Sequence, residues 1–313
     1  MKVIFFGNHT VGLVVLKEFF KQSEIMAVFV HPDSPDDGVL YDSIREWANK
    51  SSLKVYQSHG IKEEQWEKVI LSIKPDLIVI ADYKFIIPEK IIAIPRLGAI
   101  NFHPSILPKY RGRAPVNWAM INGEDKVGLT VHFIDKEVDS GPIIDQKIID
   151  VSFEDTIKDV HEKYFPVYKE LARSTATKFT MENFESYPQP SLNNNSVYPA
   201  RYPNDGIIFW KKTSLVIYNL IRAVTYPYPG AFTFTKHQKI MVWKAVLVNL
   251  DSSLLRNIKP GEIIQTVSES FDVRTGDGAI RVTEFSHEEP NMSNILLKDD
   301  IYQGQQFGQH DER

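Results

Sequence analysis

The chain has 313 residues, 43% hydrophobic and 24% charged, which is enough for two ordinary domains with a core each and too apolar for a disordered chain. It contains no cysteine, which excludes disulfides, thiolate nucleophiles and sulfur-ligated metals, so its chemistry must use oxygen and nitrogen groups. With 36 Lys and Arg against 40 Asp and Glu, the formal charge of −4 offers no global attraction to nucleic acid.

Met1 to Phe6 reads as a short strand ended by Gly7 and not as a secretory signal. No apolar run approaches the roughly 20 residues of a spanning helix, so the expected address is the cytoplasm, with no membrane partner. After the strand Lys2 to Phe6, Val11 to Phe20 carries helical spacing and Ile25 to Val30 is a second buried strand, together a βαβ unit. A polar loop, His31 to Gly38, is followed by helices around Tyr41 to Lys50 and over Glu63 to Ile73, then by the apolar strand Asp76 to Ala81. Gly98 to His103 and Gly128 to Asp135 are further strands. The alternation predicts a parallel sheet with helices on both faces, whose strand ends are where ligands bind.

Ser186 to Asp205 is dense in Pro, Asn and Ser and reads as a linker. Beyond a helix over Ser214 to Val224, the runs Ala231 to Thr235, Lys239 to Leu247, Glu262 to Thr266 and Ala279 to Phe285 predict a small antiparallel barrel or sandwich. Phe209 and Trp210 are expected in its core or at an interface, and the polar tail Met292 to Arg313 is expected to fray.

Generic signatures fail. Gly7 to Gly12 lacks both the GxGxxG spacing and a P-loop Lys-Ser/Thr, so neither a dehydrogenase nor an ATP-phosphate site is indicated. The nine histidines make no zinc-like pair with a nearby Glu, and no Gly-x-Ser-x-Gly elbow occurs, so neither a metal nor a serine nucleophile is expected.

The informative stretch is Asn101-Phe-His-Pro-Ser-Ile-Leu-Pro-Lys-Tyr-Arg-Gly-Arg-Ala-Pro115, with Val138-Asp-Ser-Gly-Pro-Ile143 downstream. On a strand ending at His103, Asn101 and His103 point to one face, so an amide and an imidazole share a cleft. Asp139 lies in a turn after another strand, where it could meet His103, while Lys109, Arg111 and Arg113 put three cations on the adjoining loop. An amine attacking an acyl carbon needs an oxyanion donor, which Asn101 could be, a base, which His103 could be, and a carboxylate such as Asp139 to support the imidazolium. Read without context, the same residues could equally be satisfying loop amides and turns.

The strings NFHPSILPKYRGRAPVNW and VDSGPII resemble the 10-formyltetrahydrofolate-dependent formyltransferase family, in which the Asn, the His and the distant Asp are the catalytic trio. The resemblance runs to about residue 290. It implies an α/β fold: a Rossmann-like parallel-sheet catalytic domain over 1–190, a linker over 191–205 and a smaller antiparallel β-barrel domain over 206–290, followed by the tail 291–313. The roles implied are Asn101 as oxyanion donor, His103 as general base and Asp139 as its support. The family's folate lies against the loop after the fourth strand, which implies contacts, mostly through backbone, at Ala81, Asp82, Tyr83, Lys84, Phe85 and Ile87. The arabinose-type enzyme has aromatics and Arg-His where this chain has Asp-Tyr-Lys, so only the backbone role carries over.

The acceptor is a separate matter. Gly7-Asn-His-Thr-Val-Gly12 resembles the His-x-x-Gly opening of UDP-4-amino-4-deoxy-L-arabinose formyltransferases, and Tyr198 to Trp210 and Ile221 to Ala231 resemble their second domain. The methionyl-tRNA enzymes of the family carry a basic loop where this chain has His31-Pro-Asp-Ser-Pro-Asp-Asp-Gly38, which would repel phosphates. A nucleotide-linked amino sugar is therefore the expected acceptor, held by His9, Ser105, Lys109, Arg113 and Arg201, with the two arginines on the diphosphate. Arg111 reads as a structural anchor of its loop. Relatives of this type suggest a homodimer. The alternatives are a methionyl-tRNA formyltransferase and a non-catalytic folate-binding or scaffold protein.

Overall fold

The computed structural model describes residues 1–32, 42–58, 64–191, 197–235, 238–251, 253–287 and 301–308. Most of the expected acidic loop, from residue 33 on, and the expected helix start at Tyr41 lie outside them. The chain forms two compact units: Met1–Val116 with Lys126–Asp150 and His161–Pro199, and Asn117–Asp125 with Val151–Val160 and Ala200–Arg313.

In chain order the elements are β1 (Lys2–Gly7), α1 (His9–Phe20), β2 (Glu24–Val30), α2 (Ile44–Lys50), β3 (Val55–Gln57), α3 (Glu64–Ile73), β4 (Leu77–Ala81) and α4 (Glu89–Ile92). There follow β5 (Ala99–His103), β6 (Arg111–Gly112), α5 (Pro115–Ile121), β7 (Lys126–Phe133), β8 (Ile143–Asp150), α6 (Ile157–Thr180) and β9 (Val197–Tyr198). The last group is α7 (Ser214–Val224), β10 (Ala231–Phe234), β11 (Lys239–Val248), β12 (Ile263–Val267), β13 (Ser270–Arg274) and β14 (Ala279–Ser286).

The first unit is built on a seven-stranded sheet in the order β3-β2-β1-β4-β5-β7-β8. Strands β1 and β4 are buried along nearly their whole length, as their unbroken apolar runs require of strands covered on both faces. Strand order reverses between β1 and β4, which opens a crevice at their carboxyl ends. The sheet is parallel only as far as β5; β7 runs antiparallel to β5, and β8 to β7. The sheet is thus mostly parallel, as expected, with an antiparallel edge where β7 and β8 are joined by a loop too short for the helical crossover a parallel pair needs. Helix α6 buries Tyr164, Tyr168, Leu171, Ala172, Thr175, Ala176 and Phe179, a stripe at three- and four-residue steps that continues past Pro166.

Residues 187–191 and 197–199, expected within a linker, belong to the first unit. Tyr187 exchanges two backbone hydrogen bonds with Ile143, and β9 pairs in parallel with β6.

In the second unit, Thr213 caps α7 by accepting from the Val216 N–H, and the helix has the bounds expected of it. The five strands form an antiparallel sheet in the order β10-β11-β14-β13-β12. Residues 301–308 are part of the fold and not a frayed tail. Gly308 bridges Phe234 at one edge of the sheet and Gln306 bridges Glu262 at the other. Phe307, 3% exposed, stacks on Trp210 with ring centres 5.7 Å apart, and that contact holds the segment down. Trp210 is buried in the core, whereas Phe209 is exposed and is not part of that core: consecutive residues of an extended segment face opposite ways. No helix among the described residues is long and apolar enough to cross a membrane.

Candidate active site

Strand β5 delivers two of the site's side chains. Phe102 points into the core against Phe19, and the alternation of the strand therefore turns Asn101 and His103 to the other face. The loop after β5 folds back over them. Ser105 Oγ donates to the Lys109 carbonyl (2.8 Å), and Thr130 Oγ1 donates to the Ser105 carbonyl (2.7 Å). Tyr110 adopts a left-handed conformation (φ 56°), and its carbonyl lies 2.9 Å from His103 Nε2.

A carbonyl can only accept, so His103 Nε2 carries the proton and the lone pair of the neutral ring is on Nδ1. Nδ1 faces Asp139 Oδ2 at 3.6 Å. Burial pushes the His103 imidazole below its ordinary range in spite of that carboxylate, so the ring is neutral at pH 7.

Asp139 arrives on the loop between β7 and β8 with a left-handed backbone (φ 49°), a conformation aspartate tolerates better than most residues. Two glycines make room for it. A Cβ on Gly141 would lie 1.9 Å from the Phe133 carbonyl oxygen, and one on Gly112 (φ 93°) would lie 2.4 Å from that of Tyr198. The Gly112 N–H donates to Asp139 Oδ2 at 2.9 Å. Burial acts to raise the Asp139 carboxyl, but His103, His132 and this N–H together hold it well below the usual carboxylate range. Asn101 Nδ2 faces Asp139 Oδ1 at 3.4 Å.

The structure thus brings Asn101, His103 and Asp139 together, and adds a residue the sequence reading missed. His132 sits opposite Asn101 in the β5–β7 register, with Nε2 3.4 Å from Asn101 Nδ2 and 3.5 Å from Asp139 Oδ1. Its Nδ1–H is fixed on the Phe133 carbonyl at 2.7 Å. The available signal was the pair Thr130 and His132, two polar residues on one face of a buried strand. The buried His103 imidazole, its tautomer fixed by the Tyr110 carbonyl, lies beside an ionised carboxylate and an amide donor and can take a proton from a nucleophile and stabilise the charges that result.

The other predicted residues are dispersed. Ala81 is buried at the end of β4, and Asp82 (φ 56°) turns outward to meet His9 (φ 57°), with Oδ2 and Nδ1 2.6 Å apart. Tyr83 and Phe85 pack around His31, Lys84 Nζ lies 5.6 Å from the Phe85 ring centre, and the Ile87 side chain is in the core. Ala81 and Ile87 expose almost none of their surface, so neither offers a ligand a side chain. Ser105 is buried and its hydroxyl bonds within the loop, so it shapes that loop and offers no side-chain contact. Lys109 and Arg113 are exposed on the same unit. Arg201 lies in the second unit, its guanidinium 4.7 Å from the Trp118 ring centre and Nη2 donating to the Asp205 carbonyl. Arg111 is buried, as a loop anchor should be.

A cleft of ≈ 270 Å³ opens at the carboxyl ends of β1, β2 and β3, lined among others by Asn8, His9, His31, Arg45 and Gln57; the trio does not line it. Among the described residues no group of three or more His, Asp or Glu is arranged to hold a metal ion.

Comparison with known proteins finds similar folds. The chain is similar in fold to WlaRD, a sugar 3N-formyl transferase solved in the presence of dTDP and 5-N-formyl-THF (21% identity, 93% of this chain and 98% of that one, TM-score 0.66). It is also similar to the N-formyltransferase of Helicobacter canadensis, solved with folinic acid and dTDP-3-aminofucose (24% identity, 92% and 100%, TM-score 0.67). A third similar structure is a sugar N-formyltransferase of a Shewanella species (19% identity, 80% and 99%, TM-score 0.63). At these identities the likeness is one of fold. Residues 202–296 match the formyl transferase C-terminal domain and residues 1–171 match the formyl transferase family itself, and to that family the chain belongs.

Proposed function

We propose that the protein is a cytoplasmic enzyme that transfers the formyl group of 10-formyltetrahydrofolate to the amino group of a nucleotide-linked amino sugar. The observation that carries the chemistry is the meeting of Asn101, His103 and Asp139 around one neutral imidazole. The amine nitrogen forms a bond to the formyl carbon, and Asn101 Nδ2 donates to the oxyanion that develops. His103 Nδ1 takes the proton that the nitrogen sheds, and Asp139 stabilises the imidazolium. The bond from carbon to N10 then breaks, and the proton passes to N10, giving the formamide and tetrahydrofolate.

The segment after β4 suits the folate. It leaves the sheet without helix or strand until Glu89, presents main chain at the crevice, and holds the Ile86 side chain 79% exposed, an apolar surface for a flat ring. A sugar acceptor is supported by the similar folds, two of them sugar N-formyltransferases and one an N-formyltransferase solved with dTDP-3-aminofucose, all of them reaching into both units of this chain. It is supported as well by the His9-x-x-Gly12 opening and by the acidic character of the sequence from Asp33 to Asp37.

The test is formyl transfer to a panel of UDP-, dTDP- and GDP-linked amino sugars, with methionyl-tRNA as control acceptor. Product from one sugar, lost in His103→Ala, is expected. Product from the tRNA alone would overturn the acceptor, and undiminished product from His103→Ala would overturn the mechanism.

A further inference from the structure

We propose that Gln189 is a positioning residue for Asp139, so that the segment leading out of the catalytic unit is part of the reaction machinery. The inference rests on the reading of Asp139 as support for His103. Gln189 Nε2 donates to two carbonyls, those of Asp139 and Gly141, each at 2.8 Å. Its Oε1 accepts from Arg111 Nη2 at 2.7 Å. Arg111 precedes Gly112, whose N–H donates to the Asp139 carboxylate. These contacts close a ring: Asp139 main chain to Gln189, Gln189 to Arg111, Arg111 through the peptide bond to Gly112, and Gly112 back to the Asp139 side chain.

The ring acts where the backbone needs holding. A left-handed φ at a non-glycine residue persists only when its surroundings fix it, and Asp139 has φ 49°. Gln189 is itself held. Pro188 and Pro190 flank it and restrict its main chain, and Tyr187 is paired with Ile143. Further on, Val197 and Tyr198 pair with Arg111 and Gly112. Buried Arg111 adds rigidity, since a cation 7% exposed has little freedom to follow a displaced partner. Loosening the ring moves the carboxylate relative to His103 Nδ1 without removing any group that touches substrate.

The experiment compares Gln189→Glu with the wild type. Glutamate keeps the acceptor for Arg111 and replaces both donors with lone pairs facing the Asp139 and Gly141 carbonyls. Turnover is expected to fall roughly ten- to hundredfold with both KM values within about twofold, the scale of loss for a catalytic group displaced by a fraction of its size. In Gln189→Met, which adds no charge, the NMR titration midpoint of the His103 ring should move down as the carboxylate recedes, a readout that general destabilisation does not produce. In an Asp139→Ala background Gln189→Glu should cost nothing further. Should Gln189→Glu fail to fold, Gln189→Met, equal in length and without hydrogen-bonding groups, carries the test.

Wild-type turnover in the folded variant beside a crippled Asp139→Ala would overturn the role of Gln189 alone, as would an equal loss in both backgrounds. Wild-type turnover of Asp139→Ala itself would overturn the catalytic reading and this inference with it.

Discussion

Replacing Asp139 by asparagine keeps the size of the side chain and an oxygen for the Gly112 N–H, and removes the charge. The cost follows from one distance. At 3.6 Å between His103 Nδ1 and Asp139 Oδ2, and an effective dielectric constant of about 20, an imidazolium and a carboxylate attract by about 4–5 kcal/mol. The ring is neutral until it takes the proton, so that attraction exists in the transition state and not in the substrate complex, and its loss falls on kcat. Asp139→Asn should therefore lower kcat on the order of a thousandfold and leave KM for the folate and for the acceptor within about twofold. Steady-state formyl transfer, following the absorbance change as the folate is deformylated, measures both. A loss below tenfold, or one appearing in KM, would refute the assignment of Asp139 as the counter-charge to His103.

Other expectations concern stability and pH. Phe307→Ala should destabilise the second unit by roughly 3–5 kcal/mol, the usual range for a fully packed phenylalanine, measured by urea unfolding with Trp210 and Trp243 as fluorophores; a loss under about 1 kcal/mol would mean that residues 301–308 are not essential to the barrel. His161, pushed down to about 4 by burial from an ordinary 6.5, takes up a proton in the unfolded chain before it does so in the folded one. Its contribution is complete above about pH 6.5 and is lost as the pH falls towards 4, roughly 3 kcal/mol in all, so His161→Gln should flatten the stability profile over that window. For turnover, the depressed His103 places the acid limb of the kcat/KM profile below the ordinary imidazole range; a limb at or above 6.5 would contradict a base kept neutral by burial.

Those strands and helices whose own residues carry a pattern were legible before any coordinates. Strands β1, β2 and β4 carry unbroken apolar runs, β5 alternates apolar residues with Asn101 and His103, and α7 starts at a capping Thr213 and stops where its apolar spacing does. What escaped depends on contacts remote in sequence. Strand β8 alternates poorly because it is an edge, and α6 carries Pro166 in the middle of its apolar stripe, which disguises the period until the helix is seen packed. Asn101 and His103 could be placed on one face by strand alternation, and Asp139 was joined to them through the family resemblance, whereas His132 enters only through the register that sets it across from Asn101. Gln189 lies in a run of Pro, Asn and Ser that composition assigns to a connector; its two amide bonds appear only once that run is folded onto the loop of Asp139.

The order of synthesis gives residues 301–308 one more consequence. All five strands of the second unit's sheet are made before them, so until this segment arrives the nascent sheet has a bare edge at β12 and, at β10, one paired only where Ile207 meets Phe232. Unpaired edges recruit other chains. A message cut short anywhere between the codons for Ser286 and Ile301 would yield every strand of the sheet with β12 uncovered and β10 only partly covered, a product suited to sticking to its neighbours on the polysome and a natural client for chaperones.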